Sequence, residues 1–144
     1  MELTMKAKEY LQRLKKLDIK INQKIKELED LKVTARSVKS IDYSKERVQS
    51  SPSTEAPFVK TVEKINILEN EINAKIDEFV DEKDKIINQI QGLDDSMYIN
   101  ILYKHYVEFM TFEKIAVDLN YSIRNIYVIH EKALQNFEQV YFQK

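Results

Sequence analysis

Few side chains in this sequence are of kinds that make or break bonds, and those few are scattered. His105 and His130 are the two histidines, 25 residues apart on segments that read as different helices. A metal pair or a catalytic dyad is not expected from them. No cysteine is present, which removes thiolate ligands, thiol nucleophiles and disulfides. One glycine cannot build a glycine-rich phosphate loop. Asp and Glu are plentiful, but they recur as the solvated faces of helices do. The expectation is no catalytic residue, no metal and no cofactor. What the sequence offers is recognition chemistry. Arg124 can make a bidentate contact with guanine and the adjacent Asn125 with adenine, each worth about 1–3 kcal/mol of discrimination. Lys132 suits a phosphate. Thr111, Lys114, Ser122, Tyr127 and Val128 complete the set expected to face double-stranded DNA.

Such residues need a scaffold, and residues 93–144 read as a small domain of three helices. Ten of the chain's fourteen aromatic residues fall there. The first helix is expected to start at Asp94, Asp95 or Ser96 and to carry Ile99, Leu102, Tyr103 and Tyr106. Thr111 is a good N-cap for a second helix, FEKIAVDL. Asn120 can adopt the left-handed conformation that ends a helix, and Ser122 can cap the next. The run from Thr111 to Tyr127 thus predicts helix, short turn, helix: a helix-turn-helix, with Ala116 small enough for close approach. On the third helix Ile126, Ile129, Ala133, Phe137 and Val140 are expected inward. Arg124, Asn125, Tyr127, Val128, Glu131 and Lys132 are left outward or flanking.

Ahead of this domain, residues 1–92 read as two long heptad arms. Leu3, Ala7, Tyr10, Leu14, Leu17, Ile21, Leu28, Leu31, Ala35 and Val38 recur at 3–4 spacing, with Lys24 as the break and Ile25 beside it. Such an arm is on the order of 50 Å long. A second arm is expected from Pro57, a good first-turn residue. Its seam is Val62, Ile65, Ile72, Ile76, Phe79, Ile86, Ile90 and Leu93, interrupted by Glu69 and Lys83. Gly92 reads as its C-terminal cap. The fold class expected is all-α, a long antiparallel helical hairpin followed by the three-helix domain. The serine- and proline-bearing segment 40–57 is expected to be a disordered loop. Leu68, Val80 and Ile87 widen the second stripe. They imply a homo-oligomer, unless they lie half-exposed or touch the C-terminal domain.

The bulk numbers fit. The chain has 144 residues, 43% hydrophobic and 33% charged, a mix typical of helices with one dry face. No run approaches the roughly 20 apolar residues of a membrane span, and no secretory signal is read at the N-terminus. A cytoplasmic location is expected. The net charge of −1 hides a gradient. Residues 1–39 carry eleven Lys/Arg against six Asp/Glu, residues 58–92 five against eight, and residues 93–144 five against seven. The C-terminal excess of acid works against non-specific attraction to phosphate.

The stretch MTFEKIAVDLNYSIRNIYVIHEKAL, within Leu102–Leu134, resembles region four of bacterial sigma factors. With the heptad arms and the segment ERVQSSPS, nearly the whole chain is similar to a family of phage and prophage regulators with sigma-like C-termini. That family is related to late-gene activators of the ArpU and RinA type. The resemblance implies DNA binding and transcriptional control in a bacterial host, with RNA polymerase as a further partner. In the family a basic residue is common where Val128 stands, and glycine where Asn120 stands. Two copies on half-sites about 34 Å apart would offset the weak charge of one. The competing reading is a coiled-coil assembly or adaptor protein that binds no DNA. Clustering of Arg124, Lys132, Lys114 and Lys104 on one face separates the two.

Overall fold

Helix is the only regular structure among the described residues, as long 3–4 apolar spacings and a single glycine dictate. The computed structural model describes residues 2–45 and 52–143, with side chains for 5–37 and 57–143. The elements are α1 (Glu2–Leu11), α2 (Arg13–Lys45), α3 (Pro52–Gln91), α4 (Ser96–Leu102), a π-helical turn (Tyr103–Val107), α5 (Phe112–Leu119) and α6 (Ile123–Tyr141). None among the described residues is long and apolar enough to cross a membrane. At Gln12, between α1 and α2, backbone bonds from Gln12 N–H to Lys8 and from Lys16 N–H to Gln12 keep the chain nearly helical.

The segment expected as loop is mostly helical. α2 runs to Lys45 and α3 resumes at Pro52, so only 46–51 separates them, and it lies outside the described residues. Pro52, not Pro57, takes the first turn, where a missing N–H costs nothing. Pro57 sits inside α3, and its carbonyl accepts from the Thr61 hydroxyl at 2.8 Å.

Two compact units form, one of Met1–Asp18 with Phe79–Lys144 and one of Ile19–Glu78. The boundary expected at Gly92 therefore falls inside the first unit. Its larger core explains why: Ala7, Leu11, Leu14, Ile86, Ile90 and Leu93 are buried together with Leu102, Tyr106, Val107, Ala133, Leu134 and Phe137. A second cluster joins Ile101, Ile115, Ala116 and Ile126. Tyr10 donates to Gln89 Oε1 at 2.5 Å, and Arg13 Nε lies 3.3 Å from Glu82 Oε1.

The unit Ile19–Glu78 buries Ile21, Ala35, Leu68 and Ile72. Lys24 pairs with Glu71 at 3.5 Å and Lys32 with Glu69 at 3.6 Å, so partners descend along α3 as they ascend along α2. Both pairs are largely solvated and worth a few tenths of a kcal/mol. Ile72, Ile86, Ile90 and Leu93 of the expected second seam are buried, but two neighbours on α3 exchange places. Leu68, assigned to an outer stripe, is 4% exposed, whereas Ile76, assigned to the seam, is 39% exposed. A helix turning 3.6 residues drifts about 20° per heptad from a 3.5 repeat, enough to exchange neighbouring positions.

Gly92 ends α3, but not through a left-handed conformation, since no glycine has positive φ. Its role is space: a Cβ there would collide with the Tyr141 hydroxyl, which donates to the Gln89 carbonyl at 2.6 Å. On α6 the inner face also departs from expectation. Val140 is exposed, and Glu138, 1% exposed, lies inward. Among the described residues neither Glu138 carboxylate oxygen meets a hydrogen-bond partner. An uncompensated buried polar group costs on the order of 1–3 kcal/mol. Glu138→Leu is therefore expected to raise the urea midpoint with an unchanged m-value. An unaltered or lowered midpoint would show that the carboxylate has a partner.

Candidate nucleic-acid interface

The caps expected from the sequence are in place, and they set the exposed surface of α5 and α6. The Thr111 hydroxyl accepts the Lys114 N–H and the Ser122 hydroxyl accepts the Asn125 N–H, each at 3.1 Å. Each satisfies a first-turn donor that has no helical carbonyl, and each keeps its own O–H free to donate outward. Asp95, one of three cap candidates for α4, accepts from Met97 and Tyr98 N–H at 2.8 and 3.2 Å. Asn120 adopts the left-handed conformation (φ 63°, ψ 40°), and its N–H reaches the carbonyls of Ala116 and Val117. The Tyr121 N–H returns to Ala116 at 2.9 Å, the double closure that stops a helix in one residue. α6 then starts at Ile123.

Thr111, Lys114, Ser122, Arg124, Asn125, Tyr127, Val128 and Lys132 are all exposed. Tyr127 and Val128 keep 48% and 46% of their surface. Arg124, Asn125, Tyr127, Val128 and Lys132 share the outer face of α6, opposite the buried Ile126, Ala133 and Phe137. Glu131 is exposed on that same face. On α5 the exposed Glu113 and Asp118 accompany Lys114. The cations are thus interspersed with acid. Lys104 is half-buried on the π-helical turn. Among the described residues no ion pair engages Lys114, Arg124 or Lys132, so all three charges are available to an outside partner.

Sequence reasoning missed what lies beneath this surface. His130 is buried, its Nε2 hydrogen-bonded to the Tyr106 hydroxyl at 2.8 Å. His105 stacks on Phe112 with centroids 4.0 Å apart at 18°, and its Nδ1 lies 2.8 Å from the Met110 carbonyl. Phe112 meets His130 at 4.7 Å and, edge to face, Tyr127 at 5.1 Å. The π-helical turn adds a residue where α4 would otherwise end, and it carries His105 and Tyr106 into this cluster. Phe109 follows in a left-handed conformation (φ 60°), unusual for an aromatic residue. Lys15 Nζ lies 4.7 Å from its ring. The signal was present in the spacing: His130 stands four residues after Ile126 and three before Ala133, a core register. Among the described residues, no three His, Asp or Glu side chains converge as a metal site needs.

No family model, no curated protein and no solved structure matches the chain.

Burial lowers His130 to about 4, and the positive charges of His105 and Lys8 push the same way. Burial also lowers His105. In the unfolded chain a histidine takes up its proton near 6.5. Between that value and about 4 the unfolded state binds a proton that the folded state refuses, so stability falls as pH falls; above 6.5 the group contributes no pH dependence. Over the whole window the loss from His130 is on the order of 3 kcal/mol. Urea titrations of the wild type from pH 7 to 4.5 should show this decline, and His130→Gln should flatten it. Parallel pH profiles for the two proteins would remove His130 as the cause.

Proposed function

We propose that this chain is a sequence-specific DNA-binding transcription regulator. In this reading Thr111–Phe137 acts as a helix-turn-helix, α6 enters the major groove and α5 crosses the backbone. The carrying observation is the outer face of α6. Arg124 and Asn125, the two side chains suited to bidentate base contacts, are both exposed in its first turn, directly after a capped tight turn. Thr111 and Ser122 can donate to phosphate while capping, and Lys114 and Lys132 can approach phosphate as point charges. The similarity of Met110–Leu134 to sigma region four, and of the chain to phage and prophage regulators, supports the same reading and makes RNA polymerase a candidate second partner.

A second reading has its own observation. Val117 on α5 is 78% exposed and Tyr121 in the turn is also exposed, and acid balances the cations around them. That surface would suit a protein contact, as in a coiled-coil assembly or adaptor protein without DNA binding. Self-association is part of the first proposal, because one nearly neutral reader gains from a second half-site. Its sequence motive is narrower than expected: Leu68 is buried and Ile87 half-buried within one chain, while Val80 remains exposed.

The test begins with selection of bound duplexes from random DNA at a stated salt concentration, using the full chain. Arg124→Ala is then expected to cost about 1–3 kcal/mol on the selected site and to relax preference at one base pair. Lys132→Ala should weaken all sequences alike and reduce the salt slope by about one. Equal, sequence-independent losses from both variants would contradict these roles, and failure to enrich any duplex would favour the protein-contact reading. Light scattering at micromolar concentration should give at least a dimer mass; a strict monomer would remove the paired-reader arrangement.

A further inference from the structure

Arg124 and Asn125 offer hydrogen bonds, but Tyr127 and Val128 beside them are exposed and largely apolar. In the major groove the one apolar feature of a base edge is the C5-methyl of thymine. Tyr127 is not a loose surface ring. Its contact with Phe112, at 5.1 Å and 65°, is backed by the Phe112–His105 stack and by His130 against Phe112 at 4.7 Å. A ring held this way loses little rotamer freedom on binding, whereas an unsupported surface ring must first be ordered. Val128 is β-branched and stiff at χ1 within a helix. Lys114, Arg124 and Lys132, which pair with no carboxylate among the described residues, supply attraction to phosphate on the same two helices.

We infer that Tyr127 and Val128 form an apolar reader for thymine methyl groups, with Phe112 as the positioning residue for Tyr127. The inference rests on the DNA-binding reading and adds to it a particular chemistry of selection: methyl contact, beside the hydrogen-bonded contacts of Arg124 and Asn125. A protein ligand for the same pair of side chains is the competing occupant, and the experiment separates the two.

The probe is the duplex enriched by selection, with each thymine replaced singly by deoxyuridine, which removes only the methyl. Burying one such carbon is worth about 0.8 kcal/mol, so at least one position should bind about fourfold more weakly. Val128→Ala or Tyr127→Ala should abolish that difference at its own position, while Tyr127→Phe, which keeps the ring, should retain it. Phe112→Leu should diminish the discrimination assigned to Tyr127 and leave that of Val128 intact. In DNA-free protein it should also shift the Tyr127 ring-proton resonances. Equal affinity for every uracil-substituted duplex, with Arg124→Ala still altering base preference, overturns the methyl reader and leaves DNA binding standing. A chain that enriches no duplex overturns both.

Discussion

The packing of α4 and α6 is the constraint on which the first unit depends. Each of these helices contributes to both hydrophobic clusters: Ile101 and Ile126 to the smaller, and Leu102, Ala133, Leu134 and Phe137 to the larger. α6 cannot rotate without withdrawing side chains from one cluster or the other, and fully burying each large side chain is worth about 1.5–3 kcal/mol. The outward direction of Arg124, Asn125, Tyr127 and Val128 is therefore set by what lies inward at Ile126, Ala133 and Phe137. The ends of the long helices belong to the same core through Leu11, Leu14, Ile86 and Ile90. That is why the chain does not divide at Gly92.

The caps fix where α6 begins and the core fixes which way it faces, and the aromatic cluster ties the two together. Phe112 is the first residue of α5, and it touches His105 from the π-helical turn and both Tyr127 and His130 from α6. The spacing between the N-terminus of α5 and the first two turns of α6 is thereby held from inside, and not by the turn at Asn120 alone. Using histidines for this has a physical consequence. Imidazole packs like an aromatic ring when neutral and demands solvation when charged, so protonation of the buried His130 works against the cluster.

What could be read from the sequence was local. Asp95, Thr111 and Ser122 cap, and Asn120 turns left-handed, because each of these depends on a side chain and the backbone within four residues of it. The first seam was legible for a similar reason: Ala7, Leu14, Leu17, Ile21 and Ala35 are buried as spaced. Long-range choices were not. Whether Leu68 or Ile76 faces in depends on accumulated helical drift and on the partner helix, neither of which is written in α3 alone. The π-helical turn has no compositional mark. Neither His130 nor Glu138 is marked as inward by residue type alone. Yet four-residue spacing from Ile126 through His130 to Leu134 and Glu138 describes one continuous stripe, and tertiary burial overrode residue type along it. Of the candidate interface, the outward set was legible, while the aromatic support beneath Tyr127 was not.

The mixed charge of that outward face bears on how a DNA reader built this way would work. Lys114, Arg124 and Lys132 stand among Glu113, Asp118 and Glu131, all exposed. Phosphate attraction supplies most of the affinity of non-specific binding and grows with the number of phosphates neutralised. A nearly neutral face therefore binds arbitrary sequence poorly. Contacts to base edges change little with the surrounding charge, so this neutrality lowers affinity for every sequence and leaves intact the discrimination supplied by base contacts, which sets the ratio of specific to non-specific binding. In a genome that offers roughly a million or more competing sites, that ratio decides occupancy more than the dissociation constant does. On the proposed reading, acid beside the reading residues weakens the hold on all DNA and leaves selection to the base contacts. On that reading the affinity so forgone comes from elsewhere, from a second copy or from a protein already on the promoter, because Lys114, Arg124 and Lys132 are few to supply it.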